Sequence, residues 1–327
     1  MMTIALDVMG GDYAPKEAIE GVRLFLEEAA WPGTRLLLVG SREAVTPLLG
    51  SLPAGSNYSF VEAEEVIGMH EHPTKALKEK PLSSIGVGFG LLQAGKAQAF
   101  IGAGNTGAMM VGAMYTVKVV EGVLRPTIAS PVPREDGGYN LLLDVGTNAD
   151  CKPEHLVQFA HLGSLYAKLV WGIEAPRVGL LNIGEEEGKG NILAQATFPL
   201  LKADPDISFS GNIEGRDLFS DKCEVIVCEG FVGNVVLKMA EAFYTTFRQN
   251  RKLDDTFLNQ FNYELYGGTP ILGINAPVII GHGISSALAF KNMISQAARL
   301  VESGFMEAVK ADFKKEEEAN GNGFLPV

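Results

Sequence analysis

Residues 177–191 read Arg-Val-Gly-Leu-Leu-Asn-Ile-Gly-Glu-Glu-Glu-Gly-Lys-Gly-Asn. Val178 to Ile183 is a short apolar run of strand length, Gly184 ends it, and a helical pattern starts near Asn191. Strand, glycine loop, helix is a layout in which backbone N–H groups and a helix N-terminus hold an anion. Lys189 stands between Gly188 and Gly190. Neither neighbour carries a Cβ, so the cation can come close to a ligand. The plainer reading of the same residues is a surface loop with a solvated charge run.

Upstream, strands are expected at Ile4–Val8, Arg35–Val39, Tyr58–Ala63 and Gln98–Ile101, with helices opening at Pro15 and over Ser84–Ala94. Gly102-Ala103-Gly104-Asn105-Thr106-Gly107 then matches the dinucleotide fingerprint between a strand and a helix. The acidic residue expected about 20 positions on, at the end of a second strand, is missing, so the segment reads as a second anion-binding glycine loop. Thr127–Val132 and Tyr139–Asp144 flank Arg134-Glu135-Asp136-Gly137-Gly138, a hairpin signal that makes the sheet mixed. Pro153 opens a helix. Downstream, strands are expected at Ile207–Ser210, Val225–Cys228 and Val278–Ile280, a long helix from about Val235, and a helix capped by Ser285. Alternating strands and helices predict a three-layer α/β/α fold with a mostly parallel, mixed sheet. The expected organisation is a single catalytic domain over 1–313, a protruding helical hairpin at about 235–268, and a frayed tail over 314–327.

The totals set limits. The chain has 327 residues, a net charge of -12 and three cysteines. That acidic balance argues against a general nucleic-acid binder, which needs a basic face, and leaves room for a local basic patch for an acidic partner. Three cysteines make no disulfide framework, and a reducing cytosol fits. The opening Met-Met-Thr-Ile-Ala-Leu-Asp lacks a basic n-region and is not expected to be a signal peptide. No apolar run is long enough for a transmembrane helix. His70 and His72 lack partners with metal-ligand spacing, and no metal site is expected.

In such folds ligands bind beyond the carboxyl ends of the strands. Those ends carry Gly10, Gly11 and Asp12; Asn105, Thr106 and Gly107; Asp144 and Asn148; Lys189; Asn212; Gly233 and Asn234; and His282, with Ser285 just after. They are rich in Gly and Asn, with few cations and no nucleophile–base–acid set. That chemistry positions an anion and stabilises developing charge by hydrogen bonds. Asn234 by itself reads as a helix cap. Cys228 at a strand end is a weak candidate for an acyl-enzyme, since no activating His is identifiable.

Asp7-Val8-Met9-Gly10-Gly11-Asp12, Gly104-Asn105-Thr106-Gly107, Lys152-Pro153-Glu154-His155-Leu156, Asn182-Ile183-Gly184-Glu185-Glu186-Glu187, Gly211-Asn212-Ile213-Glu214-Gly215-Arg216-Asp217 and Gly230-Phe231-Val232-Gly233-Asn234 occur together and in order. Over nearly its whole length the chain resembles the bacterial phosphate acyltransferases of phospholipid synthesis. Mild departures are Val8, Gln98, Thr147 and Glu229, where that family usually has other residues. The resemblance implies a fold similar to the isocitrate and isopropylmalate dehydrogenases and to phosphotransacetylase. It implies transfer of a long acyl chain from acyl carrier protein to inorganic phosphate, without a cofactor. Lys189 and Asn234 would be the catalytic pair, with the other strand-end residues binding phosphate and substrate. It also implies a cytoplasmic homodimer that meets the inner face of the membrane and passes its product to a membrane acyltransferase. Leu253, Phe257, Leu258, Phe261 and Leu265 fall on one face if 253–265 is a helix, with Arg251 and Lys252 just before them; this stretch is the expected membrane contact, and the plainer reading of the same face is a dimer or core contact. The competing class is a nicotinamide-dependent dehydrogenase using Gly102–Gly107.

Overall fold

The computed structural model describes residues 2–321. Its strands are β1 (Thr3–Asp7), β2 (Arg35–Gly40), β3 (Tyr58–Glu62), β4 (Ala99–Gly102), β5 (Thr127–Pro133), β6 (Tyr139–Leu143), β7 (Arg177–Leu181), β8 (Ser208–Ile213), β9 (Val225–Val227), β10 (Thr269–Leu272) and β11 (Val278–Ile280). Its α-helices are α1 (Lys16–Glu28), α2 (Arg42–Val45), α3 (Pro73–Glu79), α4 (Ser84–Gln93), α5 (Thr106–Gly112), α6 (Pro153–Leu169), α7 (Ile192–Ala203), α8 (Gly230–Phe243), α9 (Thr256–Asn259), α10 (Ala287–Glu302) and α11 (Phe305–Gly321). Contacts divide the chain into two compact units, Met1–Val119 with Tyr263–Met306, and Val120–Asn262 with Glu307–Val327. Sequence pattern suggests one domain over 1–313 because strand–helix alternation runs through the crossing points without a linker.

In the first unit the strand order is β3-β2-β1-β4-β11-β10. All neighbours are parallel except β10 and β11. The register pairs Leu6 with Leu38 and with Ile101, so like-facing apolar residues form rows across the sheet. Side chains alternate between faces along a strand. Ile4, Leu6, Leu38 and Ile101 join a core with Ile19, Val22, Phe290 and Met293 from α1 and α10. Phe100 points the other way, edge-on to Phe89 of α4 at 4.9 Å. Both faces are therefore covered, as continuous apolar strands require. Strand β10 is the one the sequence pattern passes over: Pro270 argues against a strand, because it cannot donate to the ladder.

In the second unit the order is β5-β6-β9-β7-β8, with β5 and β6 antiparallel and the rest parallel. The hairpin expected at 134–138 is there. Each unit is thus a mixed, mostly parallel sheet with flanking helices.

Three local expectations change. Helix α8 begins at Gly230, so Asn234 lies inside it and Glu229 is the N-cap. Ser286, not Ser285, caps α10; its Oγ accepts from the Ala289 N–H. The stretch 253–265 is not one helix: α9 covers Thr256–Asn259, and a 3-10 turn covers Tyr263–Leu265. Asp255 starts α9 by accepting from the N–H groups of Phe257 and Leu258. Phe257 and Phe261 turn inward onto Phe219, with ring centroids 5.7 and 5.4 Å away. Phe261 is buried by this packing and Phe257 half-buried, while Leu253 and Leu265 of the same expected face stay exposed. Of the tail expected to fray over 314–327, the backbone is helical to Gly321, and 322–327 lie outside the described residues.

Candidate active site

Lys189 sits on the loop between β7 and α7, and the fold builds that loop from asparagines. Asn182 at the end of β7 accepts from the Ile183 N–H at 2.8 Å, and its Nδ2 donates to the Lys189 carbonyl at 3.1 Å. Gly190 has φ +95°, and a Cβ there would overlap the Asn182 side chain, so both conformation and space demand glycine. Asn191 caps α7 by accepting from the Ala194 N–H at 2.8 Å. Asn212, reaching over from β8, donates Nδ2 to the Glu186 carbonyl at 2.9 Å. Its role here is to tie the loop.

The charge run is less exposed to Lys189 than its sequence suggests. Glu185 pairs with Lys222 at 2.7 Å and Arg216 at 3.6 Å, and Glu187 pairs with Lys202 at 3.0 Å. Among the described residues Lys189 has no ion-pair partner, and its side chain is exposed. An unpaired ammonium on a braced loop is suited to an anionic ligand.

Asn234 is presented by α8, which is seated on the loop after β6. Asp144 shapes that loop. It is fully buried and accepts from the N–H groups of Ile128, Gly146, Thr147 and Asn148 and from Asn148 Nδ2. With its oxygens so engaged, Asp144 is a scaffold rather than a phosphate ligand, and Asn148 shares that role by donating also to the Pro126 carbonyl at 2.8 Å. Three glycines let helix and loop meet. A Cβ on Gly230 would lie 2.9 Å from the Asn148 backbone, and one on Gly146 would lie 3.4 Å from Asn234 Oδ1. One on Gly233 would collide with the Asp144 carbonyl oxygen. The first N–H groups of α8 are occupied: Glu229 accepts from Phe231 and Val232, and Gly230 donates to the Asn148 carbonyl. The N-terminus of α8 is consequently not an open phosphate cradle. Asn234 itself is exposed, on the second turn.

Between the Lys189 loop and α8 lies a cavity of about 270 Å³, walled mainly by Leu156, Leu180, Leu193, Ala194, Cys228 and Val232. Burial, then the charges of Glu229 and Asp144, push the Cys228 thiol well above its ordinary range. A buried thiol held protonated is a poor nucleophile, which argues against the acyl-enzyme alternative.

The remaining expected residues lie in the first unit, where three loops meet. Asp12 donates its N–H to the Gly283 carbonyl at 2.7 Å, and a Cβ on Gly10 would lie 2.5 Å from the Gly104 nitrogen. Gly11 has φ +101°. Asn105 is fully used: its Oδ1 accepts from the Ala108 N–H, and its Nδ2 donates to the carbonyls of Gly68, Met69 and Glu71. It caps α5 and clamps the loop before α3. Thr106 opens α5 and is exposed, while Gly107 packs under Pro73. The His282 ring lies 4.7 Å from that of Tyr263. Ser285 is 2% exposed, with no hydrogen-bond partner for its Oγ among the described residues.

Asp7 is a residue the sequence reading quoted but gave no role. It is buried beneath the Gly10 loop, accepts from the Met9 N–H at 2.9 Å, and burial pushes its carboxyl up to about 6. The folded value exceeds the unfolded 3.8, so between about pH 4 and 6 the native state binds the extra proton. Asp7 therefore withdraws stability as pH rises through that window, by at most about 3 kcal/mol. Thermal melts at pH 4.5 and 7 should show a smaller loss with rising pH in Asp7→Asn than in the parent. Equal slopes would show that Asp7 does not titrate there.

Two other residues were missed. Glu229 caps α8, and its signal was an acidic residue before a glycine at a strand end. Asn182 braces Lys189 from seven residues away, a contact no periodicity reports.

The chain is similar to known proteins in sequence and in fold. The family model described as "Fatty acid synthesis protein" matches residues 2–252 and 250–308. A phosphate acyltransferase of Desulforamulus reducens is 43% identical over 333 residues, covering 97% of this chain and 98% of the relative. One from Heliobacterium modesticaldum is 44% identical, covering 94% and 97%. Among solved structures, a branched-chain phosphotransacylase from Enterococcus faecalis superimposes with a TM-score of 0.64 at 17% identity, covering 93% of this chain and all of the other. The EutD phosphotransacetylase from Staphylococcus aureus gives 0.61 at 16% identity, covering 92% and 94%. At such identities the likeness is one of fold. The sequence relatives go further, since their match is far closer and runs the length of both chains: the protein belongs to the phosphate acyltransferase family.

Proposed function

We propose that the protein transfers a long-chain acyl group from the thioester of acyl carrier protein to inorganic phosphate, giving an acyl phosphate for phospholipid synthesis. The observation that carries this reading is the unpaired Lys189 ammonium on a loop whose flanking Glu185 and Glu187 are paired elsewhere. Phosphate at neutral pH is already anionic and needs no strong base. A phosphate oxygen adds to the thioester carbon, and Lys189 offsets the charge of phosphate or of the tetrahedral oxyanion. Collapse breaks the carbon–sulfur bond, and the carrier leaves as a thiolate that takes up a proton from solvent. Asn234 orients phosphate or donates to the oxyanion with its side-chain amide. No step needs a cofactor or a thiol on the enzyme.

The test is incubation of the protein with palmitoyl-acyl carrier protein and phosphate, scoring acyl phosphate by trapping with hydroxylamine. Phosphate-dependent product is expected. Hydrolysis alone, or no reaction, overturns the reading.

The acidic carrier must find cations on an acidic protein. Arg251 and Lys252 supply them beside α8, while Arg248 is partly engaged by Asp254 at 3.3 Å. No helix among the described residues is long and apolar enough to cross a membrane. Phe231, Val235, Met239 and Phe243 recur every fourth residue on α8 and are all exposed, an apolar stripe that supports a peripheral, homodimeric arrangement at the inner membrane surface. There the product would pass to a membrane acyltransferase. Flotation of the same preparation with anionic vesicles extends the test, and protein that stays at the bottom of the gradient rejects the membrane part.

A further inference from the structure

We propose that the cavity of about 270 Å³ between the Lys189 loop and α8 is the site of the acyl chain, and that Ala194 and Val232 set the length it accepts. This rests on the acyl-transfer reading above and adds the position and size of its lipid subsite. Three observations carry it. The first is the lining. Leu156, Leu180 and Cys228 form a buried floor, each under 5% exposed, and a protonated thiol there behaves as a small apolar wall. The second is that the polar groups on the rim are already engaged. Asn182 braces the loop, Asn191 caps α7 through its Oδ1, and Glu229 caps α8. A polar ligand would find little to bond with, whereas an alkyl chain asks for nothing. The third is the mouth. Ile183 is 81% exposed and Val232 38% exposed, apolar area that an entering chain would cover. The loop that forms this mouth also carries Lys189, so a chain in the cavity starts from the charge that would hold phosphate.

Size makes the proposal quantitative. An apolar cavity of about 150 Å³ holds benzene, so 270 Å³ accommodates on the order of ten carbons. Each methylene that enters should raise kcat/KM by up to about fourfold, and carbons beyond the cavity should add little.

The experiment measures kcat/KM of the full chain with acyl carrier protein loaded with straight chains of four to sixteen carbons (an arbitrary ladder). The parent should climb with length and level off near ten carbons. Ala194→Phe, whose site is 8% exposed on the cavity wall, should level off earlier and lower the ten-carbon to six-carbon ratio at least tenfold. Val232→Trp, at the part-exposed rim, should shift the ratio the same way in a protein that folds even if Ala194→Phe does not. Melting temperatures identify any folding defect. A flat length dependence in the parent, or ratios unchanged in a folded Val232→Trp protein, overturns the subsite. Absence of acyl phosphate from the parent with every donor instead overturns the acyl-transfer reading itself.

Discussion

Lys189→Ala is expected to lower turnover of acyl donor and phosphate by about 10²–10³-fold, the usual consequence of removing one preorganised group from developing charge. The fold should not notice. Lys189 is exposed, makes no ion pair among the described residues, and leaves its backbone tie to Asn182 intact when truncated. Such surface changes shift stability by at most about 0.5 kcal/mol, or about 1–2 °C in melting temperature. Lys189→Arg keeps the charge but spreads it over a planar fork, so it should recover part of the rate and not all. If Lys189 acts on phosphate in the ground state, the Michaelis constant for phosphate rises. If it acts only on the oxyanion, kcat falls alone. Turnover within about threefold of the parent, in protein with an unchanged melt, would remove Lys189 from the chemistry. Asn234→Ala offers a companion measurement. Because Glu229 and not Asn234 caps α8, the substitution should leave stability unchanged, which separates a catalytic loss from a folding one.

Gly233→Ala is expected to be the most damaging single methyl in the second unit. Gly233 is buried where α8 crosses the loop after β6. An added Cβ would collide with the Asp144 carbonyl oxygen and stand 3.1 Å from the Cys228 sulfur. Neither neighbour can retreat. The Asp144 side chain is held by four backbone N–H groups, and Cys228 is bonded through its backbone to Leu143 at the end of β6 and to Asp144 just after it. Helix α8 must shift as a body, carrying Asn234 and the cavity wall at Val232 with it. Overpacking of this kind costs about 3 kcal/mol, which lowers the melting temperature by about 6–12 °C and should abolish turnover as well. Gly215→Ala is the control. A Cβ at Gly215 meets nothing within 4 Å, and its φ is not in the left-handed region, so that protein should melt with the parent. Equal melts for the two variants would show that α8 is free to move.

The distance between sequence and structure differs from residue to residue. Lys189 was visible because its meaning is local: glycines on both sides, a strand before and a helix after. The fingerprint at Gly102–Gly107 was visible too, yet its Asn105 serves the loop at Gly68–Glu71, over thirty residues away, and no spacing rule reports that. The stretch 253–265 misled because period alone cannot say what an apolar face meets. Phe257 and Phe261 pack on Phe219, and Asp255 and the 3-10 turn break the helix that the period implied.

By itself the sequence determined the α/β class, the mixed sheet through its hairpin, the glycine and asparagine loops at the strand ends, and a kinship carried by motifs in order. Those features follow from backbone freedom, side-chain period and hydrogen-bonding type, which neighbouring residues settle among themselves. Only the tertiary structure decided which cations take Glu185 and Glu187 away from Lys189. It alone decided that Asp144 is a scaffold, that α8 begins four residues before Asn234, and that an apolar cavity opens beside the lysine loop. These depend on which distant groups meet. Glu185 and Lys222 are 37 residues apart, and a charge has no preference for its partner until the fold brings one within reach.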